Sequence, residues 1–509
     1  MPIVKYITVT APEPSLRDNS ADIDRLKNAL REKVSGHSLV VPFAQVSNVA
    51  AGFRQAKFSG TAVLNEACGH LELVDFVESA GPLAAMALDL GTTHLEASLL
   101  NLLDGKVLAR ANRQNSQIQF GDDVLSRIHY AARPGGLANL HQLIIADINK
   151  LVLELAEQAG LGHNDVRALS VSGNPTMIHL FLKLDPYNIC REPYIPVLNA
   201  PDLVPAVELG LNLHPAAPVF VLPSVGSYFG GDLISGILAS GLDEQEQTCM
   251  LIDVGTNAEV VLGNKDWLIA CAGAAGPALE GGVARMGMRA GPGAIEHIRI
   301  EPGSLAMEYE TVGDEPACGI CGSGIIDLVA ALYLAEIIDL RGKFRLGSDN
   351  RLHQTEAGLS YTVVPASVAA NGRAIELEQV DLDAMMRSKA AMYAILTTLV
   401  SQVGLSFADL DKIYVAGAFG RHIDPERAVT LGMLPDLPIA TYVPIGNSSL
   451  AGAEKVLLSK RHRERCGRIM QKITYIELNV NQEFMMRFSG AKFIPHTDRS
   501  LFPTVPTFD

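Results

Sequence analysis

The chain has 509 residues, of which 48% are apolar and 19% charged, with a formal net charge of −15. That length predicts two or three domains, and that composition is globular rather than disordered. The acidic balance, a single tryptophan and 6% aromatics exclude a nucleic-acid partner, which is held by clustered Lys and Arg and by stacking rings.

The N-terminus, Met1-Pro-Ile-Val-Lys-Tyr-Ile-Thr8, has no basic segment leading into an apolar run, so no targeting signal is expected. Seven cysteines are scattered at 68, 190, 249, 271, 318, 321 and 466, which fits a reduced, cytoplasmic protein without a disulfide framework. The longest uncharged helical stretch, residues 390–408, carries Thr397, Thr398, Ser401 and Gln402. It reads as a buried helix, and no membrane association is expected.

Residues 1–35 read as a linker. Pro12 and Pro14 exclude a helix there, and Asn19 and Ser20 can cap a following helix with Ile23, Leu26 and Leu30 on one face. Alternating apolar residues at 39–43, 55–63 and 71–77 predict a small β-rich domain over 36–83. From residue 84 to the end, apolar strands, glycine turns and amphipathic helices alternate, as in α/β folds. Residues 138–155 and 382–400 have helical periodicity.

An internal repeat dominates this region. Ala84-Ala-Met-Ala-Leu-Asp-Leu-Gly-Thr-Thr93 recurs in form as Cys249-Met-Leu-Ile-Asp-Val-Gly-Thr-Asn257, with Asp89 and Asp253 164 residues apart. Each copy is an apolar strand, Asp-x-Gly-Thr, then a second apolar strand. One domain length separates the copies.

A tight glycine turn between two strands points several backbone N–H groups outward, and such a nest binds phosphate oxygens. Thr92, Thr93 and Thr256 add hydroxyl donors. An aspartate at the strand end suits Mg²⁺ held through water, because Mg²⁺ dehydrates reluctantly. Two facing copies would grip a polyphosphate from both sides. Two further glycine-rich elements follow: Gly319-Ile-Cys-Gly-Ser-Gly324, opening a helix near Ile325, and Val415-Ala-Gly-Ala-Phe-Gly420 after a strand. Small residues there let backbone lie against a base or ribose, or pack closely. Cys318-x-x-Cys321 lacks a second Cys or His pair and reads as packing within the glycine-rich helix start.

The order Asp89-Leu-Gly-Thr-Thr, Gly230-Gly-Asp-Leu-Ile-Ser, Asp253-Val-Gly-Thr-Asn and Val415-Ala-Gly-Ala-Phe-Gly resembles the ASKHA superfamily of acetate and sugar kinases, heat-shock chaperone ATPases and actin. Four more segments narrow it: Gly276-Pro-Ala-Leu-Glu-Gly-Gly, Gly319-Ile-Cys-Gly-Ser-Gly-Ile-Ile-Asp, Gly417-Ala-Phe-Gly-Arg-His-Ile-Asp and Gly446-Asn-Ser-Ser-Leu-Ala-Gly-Ala. With the tail Ile473-Thr-Tyr-Ile-Glu-Leu-Asn-Val-Asn, they resemble the RACo/RamA-type reductive activators of corrinoid proteins from about Thr10 onward.

The resemblance implies an α/β fold of duplicated ribonuclease-H-like (actin-like ATPase) lobes. They would lie at about 84–247 and 248–467, with a C-terminal strand and tail over 468–509. It implies ATP and Mg²⁺ as cofactors, with Asp89, Asp232 and Asp253 catalytic and Asp89 and Asp253 serving the metal. Nucleotide contacts would be Gly91, Thr92 and Thr93; Gly255, Thr256 and Asn257; Gly322, Ser323 and Gly324; and Gly417, Ala418, Phe419 and Gly420. The implied function is ATP-dependent reduction of a Co(II) corrinoid protein, a methyltransferase component, to Co(I), and the implied assembly is a homodimer. Glu280 reads as a nucleotide contact, a partner contact or a helix-start acid; His422 as a surface histidine; Lys389 as a residue of the nucleotide cleft.

Members of that family carry iron–sulfur clusters, which need about four thiolates, several closely spaced. Only Cys68 precedes residue 85 and none follows Cys466. No cluster is therefore expected in this chain, and the electron would come from a ferredoxin or another low-potential donor, on a separate polypeptide or a missing domain. The competing reading is a small-molecule kinase of the sugar or acetate type, with Asp232 as base. A chaperone-like or filament-forming ATPase is a third.

Overall fold

In a computed structural model, the segment 1–35, expected as a linker, contributes a strand and a helix to the first layer. The model describes the chain apart from residues 35, 68, 256–257, 274–284, 289, 357, 418–419, 421–422, 479–481 and 509. Strand β1 (Val4–Thr10) is followed by α1 (Asp22–Leu30), β2 (Ser38–Val40), α2 (Val46–Gln55), β3 (Ser59–Ala67) and β4 (His70–Val77). The strands form one sheet in the order β1-β3-β4-β2. Val, Tyr, Ile and Thr make up most of β1, and such side chains suit a pleated surface. Leu26 and Leu30 of α1 and Val49 and Phe53 of α2 pack against Leu64, Leu71, Leu73 and Phe76 of the sheet. No boundary falls at residue 35.

Next come β5 (Ala84–Leu90), β6 (His94–Asn101) and β7 (Val107–Gln114), then α3 (Val124–Ala131) and α4 (Gly136–Gln158). These lead to β8 (Val166–Gly173), α5 (Pro175–Phe181), β9 (Val204–Pro205), β10 (Pro218–Val221) and α6 (Gly231–Ser240). The sheet order is β7-β6-β5-β8-β10-β9. Strands β5, β6 and β7 form an antiparallel meander, and β8 runs parallel to β5. The apolar stripe of α4, from Leu140 to Leu155, is buried against this sheet, as its periodicity predicts.

The second copy begins with β11 (Cys249–Val254), β12 (Ala258–Gly263) and β13 (Leu268–Gly273). It continues through β14 (Ala294–Ile300), β15 (Met307–Thr311), β16 (Gly319–Ile320), α7 (Gly322–Leu334), β17 (Leu352–Thr355), β18 (Gly358–Val364), β19 (Ile375–Glu378) and α8 (Gln379–Gln402). After β20 (Lys412–Ala416), α9 (Pro425–Leu431) and β21 (Tyr442–Gly446), the chain enters α10 (Ser448–Leu458) and α11 (Lys460–Lys472). It finishes with β22 (Ile473–Tyr475) and α12 (Gln482–Gly490). The sheet order is β21-β20-β11-β12-β13-β22. Strands β11, β12 and β13 again form an antiparallel meander, and β20 is again parallel to the first strand. The repeated sequence motif thus opens two sheets of the same construction, which is the duplicated α/β fold expected.

Contacts divide the chain into two compact units, Met1–Ala239 with Ser449–Gln471, and Ser240–Ser448 with Lys472–Asp509. The expected second lobe, 248–467, ran through this junction without a break. In fact α10 packs within the first unit through small residues: a Cβ on Gly452 would stand 2.4 Å from Ser235 Cα of α6. No helix among the described residues is long and apolar enough to cross a membrane.

Candidate functional site

In the first unit the Asp-x-Gly-Thr turn joins β5 to β6, with Leu90 paired to Leu95. A Cβ on Gly91 would meet the His94 carbonyl oxygen at 2.4 Å, so only glycine fits this turn. Asn115 secures both ends of the turn. Its backbone N–H donates to Thr93 O at 2.9 Å, and its Nδ2 donates to Gly91 O at 3.0 Å. Behind it, Gln117 N donates to Asn115 Oδ1 at 3.0 Å, and the buried Arg127 donates to Gln117 Oε1 at 3.1 Å. From the end of β8, Asn174 Nδ2 donates to Thr92 Oγ1 at 3.0 Å.

Two helix starts reach the same turn region. A Cβ on Gly230 would meet Gly173 O, Asn174 Cα and Asp232 Oδ1 at 2.4–2.5 Å, so the start of α6 lies against the end of β8. Asp232 is in the first turn of α6 and accepts from Leu233 N at 2.9 Å. Burial pushes its carboxyl up to about 6, against the pull of backbone N–H bonds from Leu233 and its own residue. From α10, Ser449 Oγ donates to Asp89 Oδ1 at 2.7 Å. Asp89, Thr92, Asn174, Asp232 and Ser449 therefore belong to one constellation within one unit.

The second unit holds the second copy. Asp253 ends β11 beside β20, in register with Ala416. Ser448 Oγ donates to Asp253 Oδ2 at 3.4 Å. Gly420 is held against Val415, whose carbonyl oxygen would lie 2.2 Å from a Cβ there. In both hairpins the residue facing the aspartate across the ladder is a glutamate: Glu96 faces Asp89 and Glu259 faces Asp253. Sequence reasoning missed these glutamates, although the repeat carried them at nearly equal distance after each aspartate. It also missed Asn115, Asn174, Ser172 and Ser449.

Several expected contacts, Thr256, Asn257, Ala418 and Phe419, lie outside the described residues, as do Glu280 and His422. Gly322, Ser323 and Gly324 open α7, one turn earlier than expected. Gly324 faces the Ile295 carbonyl oxygen, which would be 2.3 Å from a Cβ, so close seating of α7 on β14 accounts for that glycine. Cys321 is buried, with its Sγ 3.2 Å from Ser323 Oγ. Cys318 Sγ lies 3.5 Å from Met288 Sδ, a packing contact. Lys389 requires correction. It is 0% exposed, and its Nζ donates to Phe493 O at 2.5 Å and Pro495 O at 2.7 Å. It anchors the C-terminal tail to α8 rather than reaching a nucleotide.

Among the described residues no cluster of three or more His, Cys, Asp or Glu is disposed to hold a metal by protein ligands alone. Isolated hard carboxylates beside backbone-rich turns are the donor set that suits Mg²⁺, which keeps its waters and is shared with phosphate oxygens. Asp89 and Asp253 fit that ion.

Family models match three consecutive segments: the RACo linker region over residues 1–79, the RACo middle region over 84–245, and the C-terminal domain of RACo, the ASKHA domain, over 247–506. The corrinoid activation enzyme RamQ of Eubacterium limosum is 33% identical over 425 residues, 81% of this chain and 71% of that protein. The [Co(II) methylated amine-specific corrinoid protein] reductase of Methanosarcina barkeri is 26% identical over 419 residues, 76% of this chain and 72% of that one. A solved structure, a reductive activator for corrinoid, iron–sulfur protein, matches with a TM-score of 0.91 and 38% identity over 99% of this chain and 81% of its own.

Proposed function

The chain belongs to the RACo family of ASKHA-domain proteins, and from that membership we propose that it is an ATP-dependent reductive activator of a corrinoid protein. The observation that carries this reading is the match of 99% of the chain to one reductive activator at a TM-score of 0.91. In the reaction, a Co(II) corrinoid held by the partner gains one electron to become Co(I), and a low-potential donor is oxidised by one electron. ATP and water are converted to ADP and phosphate in the same cycle.

The roles assigned to this chain's residues are ours. Asp89 and Asp253 orient the magnesium–nucleotide complex through carboxylate oxygens, and Mg²⁺, when bound, neutralises phosphate charge. Gly91, Thr92 and Thr93, with Gly255, Thr256 and Asn257, offer N–H and O–H groups to phosphate oxygens. Gly322 to Gly324 and Gly417 to Gly420 approach the rest of the nucleotide. Asp232 is the group that accepts a proton from the attacking water. The electron donor is a separate ferredoxin or similar carrier: the seven cysteines, with only Cys318 and Cys321 closely spaced, do not supply the thiolates of a cluster. A homodimer in the cytoplasm completes the proposal.

The test mixes the protein with a Co(II) corrinoid protein, a low-potential reductant and ATP, and follows the Co(I) absorption band. ATP-dependent appearance of the band supports the proposal. Its absence, together with phosphoryl transfer from ATP to a sugar or carboxylic acid at about one turnover per second, would establish the kinase reading instead.

A further inference from the structure

Three buried hydroxyls form a file ending at Asp89. Ser449 Oγ is 2.7 Å from Asp89 Oδ1, Ser172 Oγ is 2.8 Å from Ser449 Oγ, and Ser235 Oγ is 2.9 Å from Ser172 Oγ. All three serines are buried. They come from α10, β8 and α6, and Ser172 is the register partner of Asp89 on the neighbouring parallel strand.

A hydroxyl has one proton to donate, and an ionised carboxylate only accepts. Those two facts set the direction of the whole file. Ser449 donates to Asp89, so it must accept from Ser172, and Ser172 in turn must accept from Ser235. Every O–H dipole then points its positive end towards the carboxylate, and each bond polarises the next. Packing alone does not require the last link, because a buried hydroxyl is satisfied by one partner. Ser172 already provides that partner to both Ser235 and Ser449.

The placement of α10 is built for this contact. Ser170 Oγ donates to Ala453 O at 2.7 Å, and Ser98 Oγ donates to Glu454 Oε1 at 2.7 Å. Ser98 and Ser170 flank Ala87 in one row of the sheet, one step before the row that holds Asp89 and Ser172. Serines on the sheet face thus fix the helix in rotation and in height. Its second residue is delivered to Asp89.

We propose that Ser449 is a positioning residue for Asp89, holding the carboxylate in the single orientation that receives magnesium–nucleotide, with Ser172 and Ser235 as the supports that orient its hydroxyl. This rests on the reading of Asp89 as a magnesium–nucleotide ligand, and the experiment separates the two. Full-length Ser449→Ala, Ser449→Thr, Ser172→Ala and Asp89→Ala are titrated with ATP by calorimetry, once with Mg²⁺ and once with EDTA. Ser449→Ala should lose about ten-fold of the magnesium-dependent gain in ATP affinity, the scale of a bond to a charged group, with affinity in EDTA unchanged. Ser449→Thr should restore the gain, and Ser172→Ala should lose a smaller part of it. A wild-type gain in Ser449→Ala, with the gain lost in Asp89→Ala, overturns the positioning role and leaves the nucleotide reading standing. An equal loss in the Ala and Thr variants also overturns it, since that reports packing alone. A gain retained in Asp89→Ala overturns both. Should Ser449→Ala fail to fold, Ser172→Ala decides, and a wild-type gain there overturns the role.

Discussion

Gly417 and Asp253 meet where only a glycine fits: Gly417 has φ of +77°, and a Cβ there would stand 2.9 Å from Asp253 Oδ1. The left-handed backbone costs an L-residue roughly 1–2 kcal/mol, and the added methyl would press on the carboxylate. Gly417→Ala should fold with a modest loss of melting temperature yet bind ATP with Mg²⁺ at least about ten-fold more weakly, a shift of about 1.4 kcal/mol. Calorimetric titration is the check, and unchanged affinity in the folded variant would remove Asp253 from the nucleotide site.

Asp232 links stability to pH in the sense opposite to an ion-paired carboxylate. Burial raises its folded value to about 6, above the roughly 3.9 of an unfolded aspartate. Its contribution to stability is therefore complete below that unfolded value and is lost as pH rises through about 6. Asp232→Asn should stabilise the nucleotide-free protein at pH 7 by about 1–3 kcal/mol. The same change should lower ATP turnover by about 10²–10⁴-fold and flatten the acid limb of its pH profile near 6. Denaturant melts and pH–rate profiles on both proteins would check each half, and full turnover in the variant would free Asp232 of any catalytic part.

Lys389→Met keeps most of the side-chain volume but takes the ammonium donors from the carbonyls of Phe493 and Pro495. Leaving buried acceptors short of partners costs about 1–3 kcal/mol each. The variant should lose stability, and its amides over residues 491–508 should exchange faster with deuterated water. Its ATP affinity should match the wild type. Weakened nucleotide binding without faster exchange in the tail would return Lys389 to the nucleotide site.

Activation requires that nucleotide state be felt by the corrinoid partner, since a ligand shifts an equilibrium only by its differential affinity for the two states. ATP should change the affinity for a Co(II) corrinoid protein by roughly 5- to 150-fold relative to ADP or no nucleotide, before any electron is supplied. By linkage, the corrinoid protein should change ATP affinity by the same factor. Gly255→Val, which blocks the second turn, should remove the effect. Titrations across the three nucleotide states would decide it, and identical affinities would rule the activator mechanism out.

The paired turns were legible because Asp-x-Gly-Thr between apolar strands is a local pattern, complete within ten residues. The supports of those turns were not. Asp89 and Ser449 are 360 positions apart, and Ser172 and Ser449 are 277 apart; nothing in a serine beside a glycine announces a distant carboxylate. Strand β1 was hidden by Pro12 and Pro14, which end it but read as marks of a linker. Helix α2 was hidden by Gly52, which looks like a breaker and instead seats the helix on β4, where a Cβ would meet Phe76 O at 2.2 Å. Lys389 misled because a lysine near a nucleotide-binding pattern suggests phosphate, whereas tail carbonyls neutralise its cost of burial.

Unit one is discontinuous, closed only by residues 449–471 after the chain has left it at residue 239. At a synthesis rate of roughly 5–20 residues per second, the ribosome spends roughly 10–50 s between residue 239 and residue 471. Throughout that interval the sheet face bearing Ser98, Ser170 and Ser172 lacks the helix that covers it. Co-translational folding of the first unit is therefore incomplete by design of the chain order, and its last step waits on the second unit's synthesis. Severing the gene at residue 239 would give a fragment without its closing helix, whereas a permuted gene that joins 449–471 directly behind residue 239 would let the first unit finish alone.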